Sequence, residues 1–214
     1  MKSTIRSSRL QYDGIYPTTN EERLQDETIL TSLRNLGQVL QQQGKYEEAE
    51  QISRRMLAGY EEALGPDQPE TLVCVSILAT LIQLQGRYEQ AEEMSRRALA
   101  GFTTVLGADH QHTLRSLSNL ATVLQDHTKY AEAEEINRQA LAAFERTLGQ
   151  DHPDTLTCAS NLAMVLQDQG KYEEAQKTYR RASIGYEKAP QANYVSSQQR
   201  GYYIEPQMIA RCLF

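Results

Sequence analysis

Long apolar runs are missing from this sequence: no stretch approaches the ~20 residues that a membrane-spanning helix needs, so attachment to a membrane through such a helix is not expected. The opening Met1-Lys2-Ser3-Thr4-Ile5-Arg6 lacks the apolar centre of a secretory leader. It reads as a frayed terminus, with an organelle presequence as the alternative because no acid precedes Asp13. The final Arg211-Cys212-Leu213-Phe214 holds its cysteine one place too late for a prenylation box. Positive charge is in deficit. The net charge is −6, and residues 27–187 carry 15 basic against 23 acidic side chains. Nucleic-acid affinity rests largely on clustered lysine and arginine, so nucleic acid is not an expected partner. A Gly-x4-Gly-Lys-Ser/Thr phosphate loop is absent. No acid, base and nucleophile converge in the pattern of motifs, so catalysis is not expected. The four histidines are His110, His112, His127 and His152, and the one metal-like pair, His110-x-His112, lacks a third ligand at a convincing spacing. Neither a metal nor a cofactor is expected. Histidines 110 and 152 recur at one linker position and read as helix caps or solvated side chains.

What the sequence has is a repeat. Gly44-Lys45-Tyr46-Glu47-Glu48-Ala49 returns as Gly86-Arg87-Tyr88-Glu89-Gln90-Ala91, Thr128-Lys129-Tyr130-Ala131-Glu132-Ala133 and Gly170-Lys171-Tyr172-Glu173-Glu174-Ala175, 42 residues apart each time. A fixed period of this size marks a stacked array of one supersecondary unit. In the first unit Leu30, Leu33, Leu36, Gly37 and Leu40 fall at helical spacing; their counterparts are Leu72, Val75, Leu78, Ala79 and Ile82, then Leu114, Leu117, Leu120, Ala121 and Leu124, then Leu156, Ala159, Leu162, Ala163 and Leu166. This predicts a helix A with one apolar stripe. Gly44, Gly86 and Gly170 suit its left-handed cap, and Thr128 in their place should weaken the third turn. A helix B follows, with acids at its start and Tyr46, Ala49, Ile52, Met56 and Tyr60 as apolar or small positions. Glu50 and Arg54, Glu92 and Arg96, and Glu134 and Arg138 stand four apart and are expected to pair along an exposed, solvated face. Gly59, Gly101, Ala143 and Gly185 match, which predicts close approach of a neighbouring helix. Linkers read Leu64-Gly65-Pro66-Asp67, Leu106-Gly107-Ala108-Asp109-His110 and Leu148-Gly149-Gln150-Asp151-His152-Pro153. Cys74 and Cys158 lie two whole periods apart, expected beyond disulfide reach; free, half-buried thiols in a reducing compartment, hence a cytoplasmic location, are the expectation.

The predicted organisation is an extension over 1–26, with a capping box at Thr18-Thr19-Asn20-Glu21-Glu22; repeats at about 27–68, 69–110, 111–152 and 153–187; and a tail over 188–214 that is either irregular or a short capping helix near its end. The spacing Leu33-x2-Leu36-Gly37-x2-Leu40 followed by Ala49 resembles the tetratricopeptide-repeat signature, though the unit is longer than the usual 34-residue form. The elements Leu-Gly-x-Asp-His-Pro-x-Thr-Leu, Asn-Leu-Ala and Gly-Lys-Tyr-x-Glu-Ala-Glu resemble the kinesin light chain type of repeat, and similar arrays form the sensor end of fungal NLR-like proteins. The resemblance implies an all-α, right-handed superhelical solenoid of four helix-turn-helix repeats. It covers residues 27–187 and speaks to fold more than to function. No long heptad segment that could join a motor heavy chain is present, so motor attachment does not carry over.

In stacked helix pairs the A helices line the hollow side. Four columns are expected there: Thr31, Val73, Arg115, Thr157; Arg34, Ser76, Ser118, Ser160; Asn35, Ile77, Asn119, Asn161; and Gln41, Gln83, Gln125, Gln167. The asparagine column, interrupted by Ile77, resembles the ladders with which some tetratricopeptide proteins hold an extended main chain; an amide suits this because it both donates and accepts. Its competing role is to satisfy nearby helix ends. The candidate partner-binding residues are therefore Asn35, Asn119, Asn161, Arg34, Arg115, Gln83 and Gln125, with Arg34 and Arg115 for acidic groups and the glutamines leaning towards plain solvated surface. A clamp for chaperone tails is disfavoured because no lysine occupies these columns. The expected function is non-catalytic binding of a peptide or protein segment in the groove. The alternative is a sensor fragment of a STAND-type nucleotide-dependent switch. The oligomeric state is not legible.

Overall fold

The computed structural model describes residues 39–40 and 42–188, and within them seven α-helices and no strand. They are α1 (Tyr46–Leu64), α2 (Pro69–Leu84), α3 (Tyr88–Leu106), α4 (Gln111–Asp126), α5 (Tyr130–Leu148), α6 (Pro153–Asp168) and α7 (Tyr172–Lys188). Even-numbered helices are the predicted A helices and odd-numbered ones the B helices. The predicted extension with its capping box, Arg34, Asn35, Gln41, Cys212 and the tail from 189 on lie outside the described residues, as does most of the first A helix, whose Val39 and Leu40 are helical.

The apolar stripes form the core. Leu72, Val75, Leu78, Ala79 and Ile82 are all buried, as are Leu156, Ala159, Leu162, Ala163 and Leu166; in the third unit only Leu117 is left half-buried. Each B helix packs between its own A helix and the next. Thus Phe144 shares a cluster with Leu114 of α4 and Cys158 of α6, and Leu141 lies against Leu162 and Leu166 of α6. The two helices of a unit approach closely. A Cβ at Gly101 would stand 2.4 Å from Cδ2 of Leu72, and one at Gly185 at 2.4 Å from Cδ2 of Leu156. Both thiols are deeper than the sequence pattern predicts. Cys74 and Cys158 are fully buried and form no disulfide among the described residues, and burial, aided by Glu145, pushes the Cys158 thiol up to about 12. The extra depth comes from the preceding unit's B helix, which a single-helix stripe does not count: Met56 and Tyr60 share a cluster with Cys74, and Ala140 and Phe144 share one with Cys158. Asn137 is also fully buried, and neither atom of its amide has a hydrogen-bond partner among the described residues; earlier units have Ser53 and Ser95 there.

The linker motif closes each unit onto the next. Thr71, Thr113 and Thr155 donate their hydroxyls to the carbonyls of Gly65, Gly107 and Gly149 at 2.8, 2.7 and 2.8 Å. This ties the end of one B helix to the start of the next A helix and satisfies a carbonyl the helix end leaves open. His110 and His152 cap α4 and α6: their Nδ1 atoms accept from the N–H groups of His112 and Asp154, both at 3.2 Å. The turn from A to B needs a residue in the left-handed region. Gly86 and Gly170 take it at φ 76°, and Thr128 is forced to φ 61° at the same place. A β-branched residue there is strained by about 1–2 kcal/mol. Thr128→Gly is therefore expected to raise stability by about 1 kcal/mol, part of the relief being offset by glycine's greater chain entropy. Urea denaturation would show this as a higher midpoint with an unchanged slope, and an unchanged midpoint would contradict the strain.

The Glu–Arg pairs expected on a solvated face exist, but their role is different. Glu50, Glu92 and Glu134 keep only 11, 13 and 14% of their side chains exposed. Each accepts from an arginine on its own helix and from a cation of the following unit: Glu50 from Arg54 and Arg87, Glu92 from Arg96 and Lys129, Glu134 from Arg138 and Lys171. A third donor comes from the end of the following A helix: Gln85 at 2.8 Å, His127 at 3.0 Å and Gln169 at 2.7 Å. Gln85 and Gln169 also reach the carbonyls of Tyr46 and Tyr130. The glutamate is thus a clamp between units. Burial raises the Glu92 carboxyl, but hydrogen bonds from Lys129, His127 and Arg96 outweigh it and hold it at about 2. The Lys171 hydrogen bond, against burial, together with Arg138 and Gln169, holds Glu134 at about 2. For Glu50, Gln85, Arg54 and Arg87 overcome burial and lower it as well.

The outward side of α7 departs from this plan. Where earlier B helices turn Ile52, Met94 and Ile136 towards the next unit, α7 has Thr178; Leu57, Leu99 and Leu141 become Ser183; the clamp glutamate becomes Gln176. Tyr172, whose counterparts Tyr46, Tyr88 and Tyr130 are half-buried, is 69% exposed.

Candidate partner-binding surface

The face of α2, α4 and α6 turned away from the B helices is built by every third or fourth residue of each helix. Along α2 it carries Val73, Ile77, Thr80 and Leu84, with Leu84 46% exposed; along α4 it carries Arg115, Asn119 and Thr122, and along α6 Asn161 and Met164, while the Thr157 hydroxyl turns to the hydroxyl of Tyr186 on α7 at 2.8 Å. It is apolar at one end and polar at the other. Adjacent A helices are fastened along this face. Asn161 Nδ2 donates to Ser118 Oγ at 3.3 Å, Gln83 Nε2 to Asp126 Oδ2 at 2.7 Å, and Gln125 Nε2 to Asp168 Oδ2 at 2.6 Å. Gln111 Nε2 also reaches Asp154 Oδ2 at 3.3 Å.

These bonds place the sequence-derived candidates. Asn119 and Asn161 are both half-buried on the A-helix face, one unit apart, and the serine column lies between units, with Ser118 receiving Asn161 and Ser160 buried. Gln83 and Gln125 lie on the rim, their amide nitrogens already engaged by carboxylates. All these bonds share one spacing, the period plus one residue, so they link different columns rather than members of one column. The exposed Leu84 was missed too, because it extends the apolar patch of Val73 and Ile77 only in α2; α4 and α6 have Asp126 and Asp168 there.

Arg115 stands apart electrostatically. It is the single lysine or arginine on α2, α4 and α6, against the carboxylates of Glu70, Asp126, Asp154 and Asp168. It is half-buried and forms no ion pair among the described residues. His112 lies beside it, stacked on Phe102 at 5.3 Å between ring centroids and on His110 at 5.5 Å. Burial lowers the His112 imidazole, with His110 and Arg115 adding to the effect, so the ring favours its neutral form. No group of three or more metal-ligating side chains occurs among the described residues, and no described helix is long and apolar enough to cross a membrane.

One tetratricopeptide-repeat model matches residues 75–146 and 113–188, and a second matches residues 29–70. The chain belongs to the tetratricopeptide-repeat family, a class of non-enzymatic protein-interaction scaffolds. Its repeats are similar to those of kinesin light chain-like proteins. The fold is similar to that of BtubC (BKLC) from P. vanneervenii, with a TM-score of 0.70, 18% identity and 87% of each chain covered. It is also similar to a putative kinesin light chain from Podosopora anserina with nearly identical TPR-like repeats, at TM-score 0.67 and 24% identity over 86% of this chain and 91% of that one. A single-substitution variant of the same protein gives 0.68 and 22% over the same shares. No curated protein sequence matches the chain.

Proposed function

We propose that the A-helix face holds an extended segment of a protein partner, with Asn119 and Asn161 contacting its main chain and Arg115 pairing with a carboxylate on it. The observation that supports this most is Arg115: a half-buried guanidinium with no carboxylate partner among the described residues, on helices that are otherwise acidic. Such a charge gains most from an anion supplied from outside. Two amides one unit apart suit the alternating donors and acceptors of an extended chain. Gln83 and Gln125 each give one N–H to Asp126 and Asp168, so they serve as rim contacts through their carbonyl oxygens and their second N–H. The apolar end formed by Val73, Ile77 and Leu84 would take aliphatic side chains of the same segment.

The test is a peptide-display selection on the full chain, followed by affinity measurement with the enriched peptides. Enriched sequences should carry an acidic residue, and Arg115→Ala should weaken them about 10-fold to 100-fold, the worth of a charged hydrogen bond. The melting temperature should stay close to the parent's, since Arg115 supports no other described group. Peptides that bind equally well to a chain lacking Arg115, Asn119 and Asn161 would reject this surface.

A further inference from the structure

The fourth unit carries a sequence that the other three do not. Aligned on the 42-residue period, the middle of helix B reads Arg54-Arg55-Met56-Leu57, Arg96-Arg97-Ala98-Leu99, Arg138-Gln139-Ala140-Leu141 and then Arg180-Arg181-Ala182-Ser183. In the first three units the last residue is an apolar contact. Leu57 belongs to the core around Leu72 and Val75, Leu99 packs on the cluster of Leu120 and Leu124, and Leu141 lies against Leu162 and Leu166. In α7 no further helix follows among the described residues, and a hydroxyl occupies the place. Ser183 is half-buried and makes no hydrogen bond among the described residues. Ile184 beside it is 44% exposed. Arg180 is exposed and unpaired among the described residues, whereas Arg181 reaches across to Glu145 of α5.

We propose that Ser183 is a phosphorylation site for a serine kinase with an acidic substrate groove, one that reads guanidinium groups three and two residues before the acceptor and an apolar residue after it. Arg180, Arg181 and Ile184 supply that pattern around Ser183. Two adjacent guanidinium groups meeting kinase carboxylates give charge-assisted hydrogen bonds, the strongest kind available at a protein surface. In the transfer step Ser183 Oγ attacks the γ-phosphorus of a nucleoside triphosphate bound to the kinase. A new P–O bond forms, the bond to the β–γ bridging oxygen breaks, the hydroxyl proton passes to the kinase's carboxylate base and the diphosphate leaves.

A kinase takes its substrate extended, so the end of α7 must open. It is the helix of the array best placed to do so. It packs chiefly on α6, with no unit beyond it among the described residues, and Ser183 is five residues from its end at Lys188. Linear arrays open from such ends at the least cost. The phosphate brings about −1.5 to −2 charges. Near the carbonyl end of a helix that charge opposes the helix dipole. Phosphorylation therefore favours the opened form of the last helix and bars any further apolar helix from stacking on α7.

The experiment uses the full chain, ATP with magnesium, and the catalytic subunit of a cyclic-AMP-dependent protein kinase. An unrelated Arg-Arg-x-Ser peptide in the same tube reports kinase activity, and the phosphate is mapped by mass spectrometry. A single phosphate on Ser183 is expected, with none there in Ser183→Ala. Arg180→Gln, a change at an exposed unpaired residue, should slow incorporation about 10-fold or more, the loss of one charged hydrogen bond. Glu145→Gln releases Arg181 and should quicken it. Far-UV circular dichroism checks that each variant is folded. Ser183 left unmodified while the control peptide is consumed, or a rate indifferent to Arg180→Gln, overturns the proposal. The outcome does not depend on whether the A-helix face binds a partner.

Discussion

Replacing Phe144 by alanine is expected to lower stability by about 3–5 kcal/mol, the usual cost of emptying a large aromatic site in a core, and to split the denaturation curve in two. The side chain is 2% exposed and shares a cluster with Leu114 and Cys158, one on its own A helix and the other on the next. Its loss weakens the third unit internally and also loosens that unit's hold on the fourth. In a linear array, stability is roughly a sum of unit and junction contributions. A defect at one junction therefore uncouples the two sides instead of lowering everything evenly. Because whole domains are stable by only about 5–15 kcal/mol, α6 and α7 should unfold first. Urea titration followed by near-UV tyrosine signal and by far-UV helix signal should give two midpoints where the parent gives one. Coincident transitions would show that the array responds as a single cooperative block.

The second large effect is on acid stability. Glu134 and Glu92 are each held at about 2, below the ordinary carboxyl value of 4.5. A depressed carboxylate contributes its full stabilisation above the unfolded value and loses it as pH falls towards the folded one. The array should therefore keep its clamps at neutral pH and lose them between about 4.5 and 2. Each clamp contributes on the order of 2 kcal/mol once solvent screening of its half-exposed cations is allowed for. Glu134→Gln removes one clamp at all pH values. It should lower stability at pH 7 by about that amount and flatten the fall between pH 5 and 3, since the missing group no longer titrates. Thermal melts of parent and variant across this range would test it. A variant that falls as steeply as the parent would show that the acid sensitivity comes from elsewhere.

Much of the fold is legible because a 42-residue period combined with helical spacing fixes which side chains are internal. Leu72 through Ile82 and Leu156 through Leu166 needed no further information. Close approach of the paired helices was readable from Gly101 and Gly185, since a residue without Cβ in a helix interior has a steric reason to be there. What one unit in isolation hides is the junction. Glu50, Glu92 and Glu134 look like members of exposed i, i+4 pairs, yet stacking brings Arg87, Lys129 and Lys171 onto them from 37 residues further along. The depth of Cys74 and Cys158 is hidden for the same reason. On the A-helix face, the engagement of Gln83 and Gln125 by Asp126 and Asp168 follows from neighbouring helices being displaced by one residue beyond the period. Arg115 was visible as a candidate because charge is rare in these columns. Its lack of an ion pair among the described residues is a three-dimensional fact.

The clamp has a consequence for how such a chain can lengthen. Its acceptor and one arginine sit on one unit and its other two donors on the next, so every internal joint is made of the same kind of halves. A genetic event that copies one internal unit, 42 codons in frame, would create a new joint already matched on both sides. Copying the fourth unit would instead insert Gln176, Thr178 and Ser183 between helices, a wet layer with no carboxylate to receive the incoming cation. Growth from within is thus permitted by the chemistry of the joints, and growth beyond α7 is resisted by it.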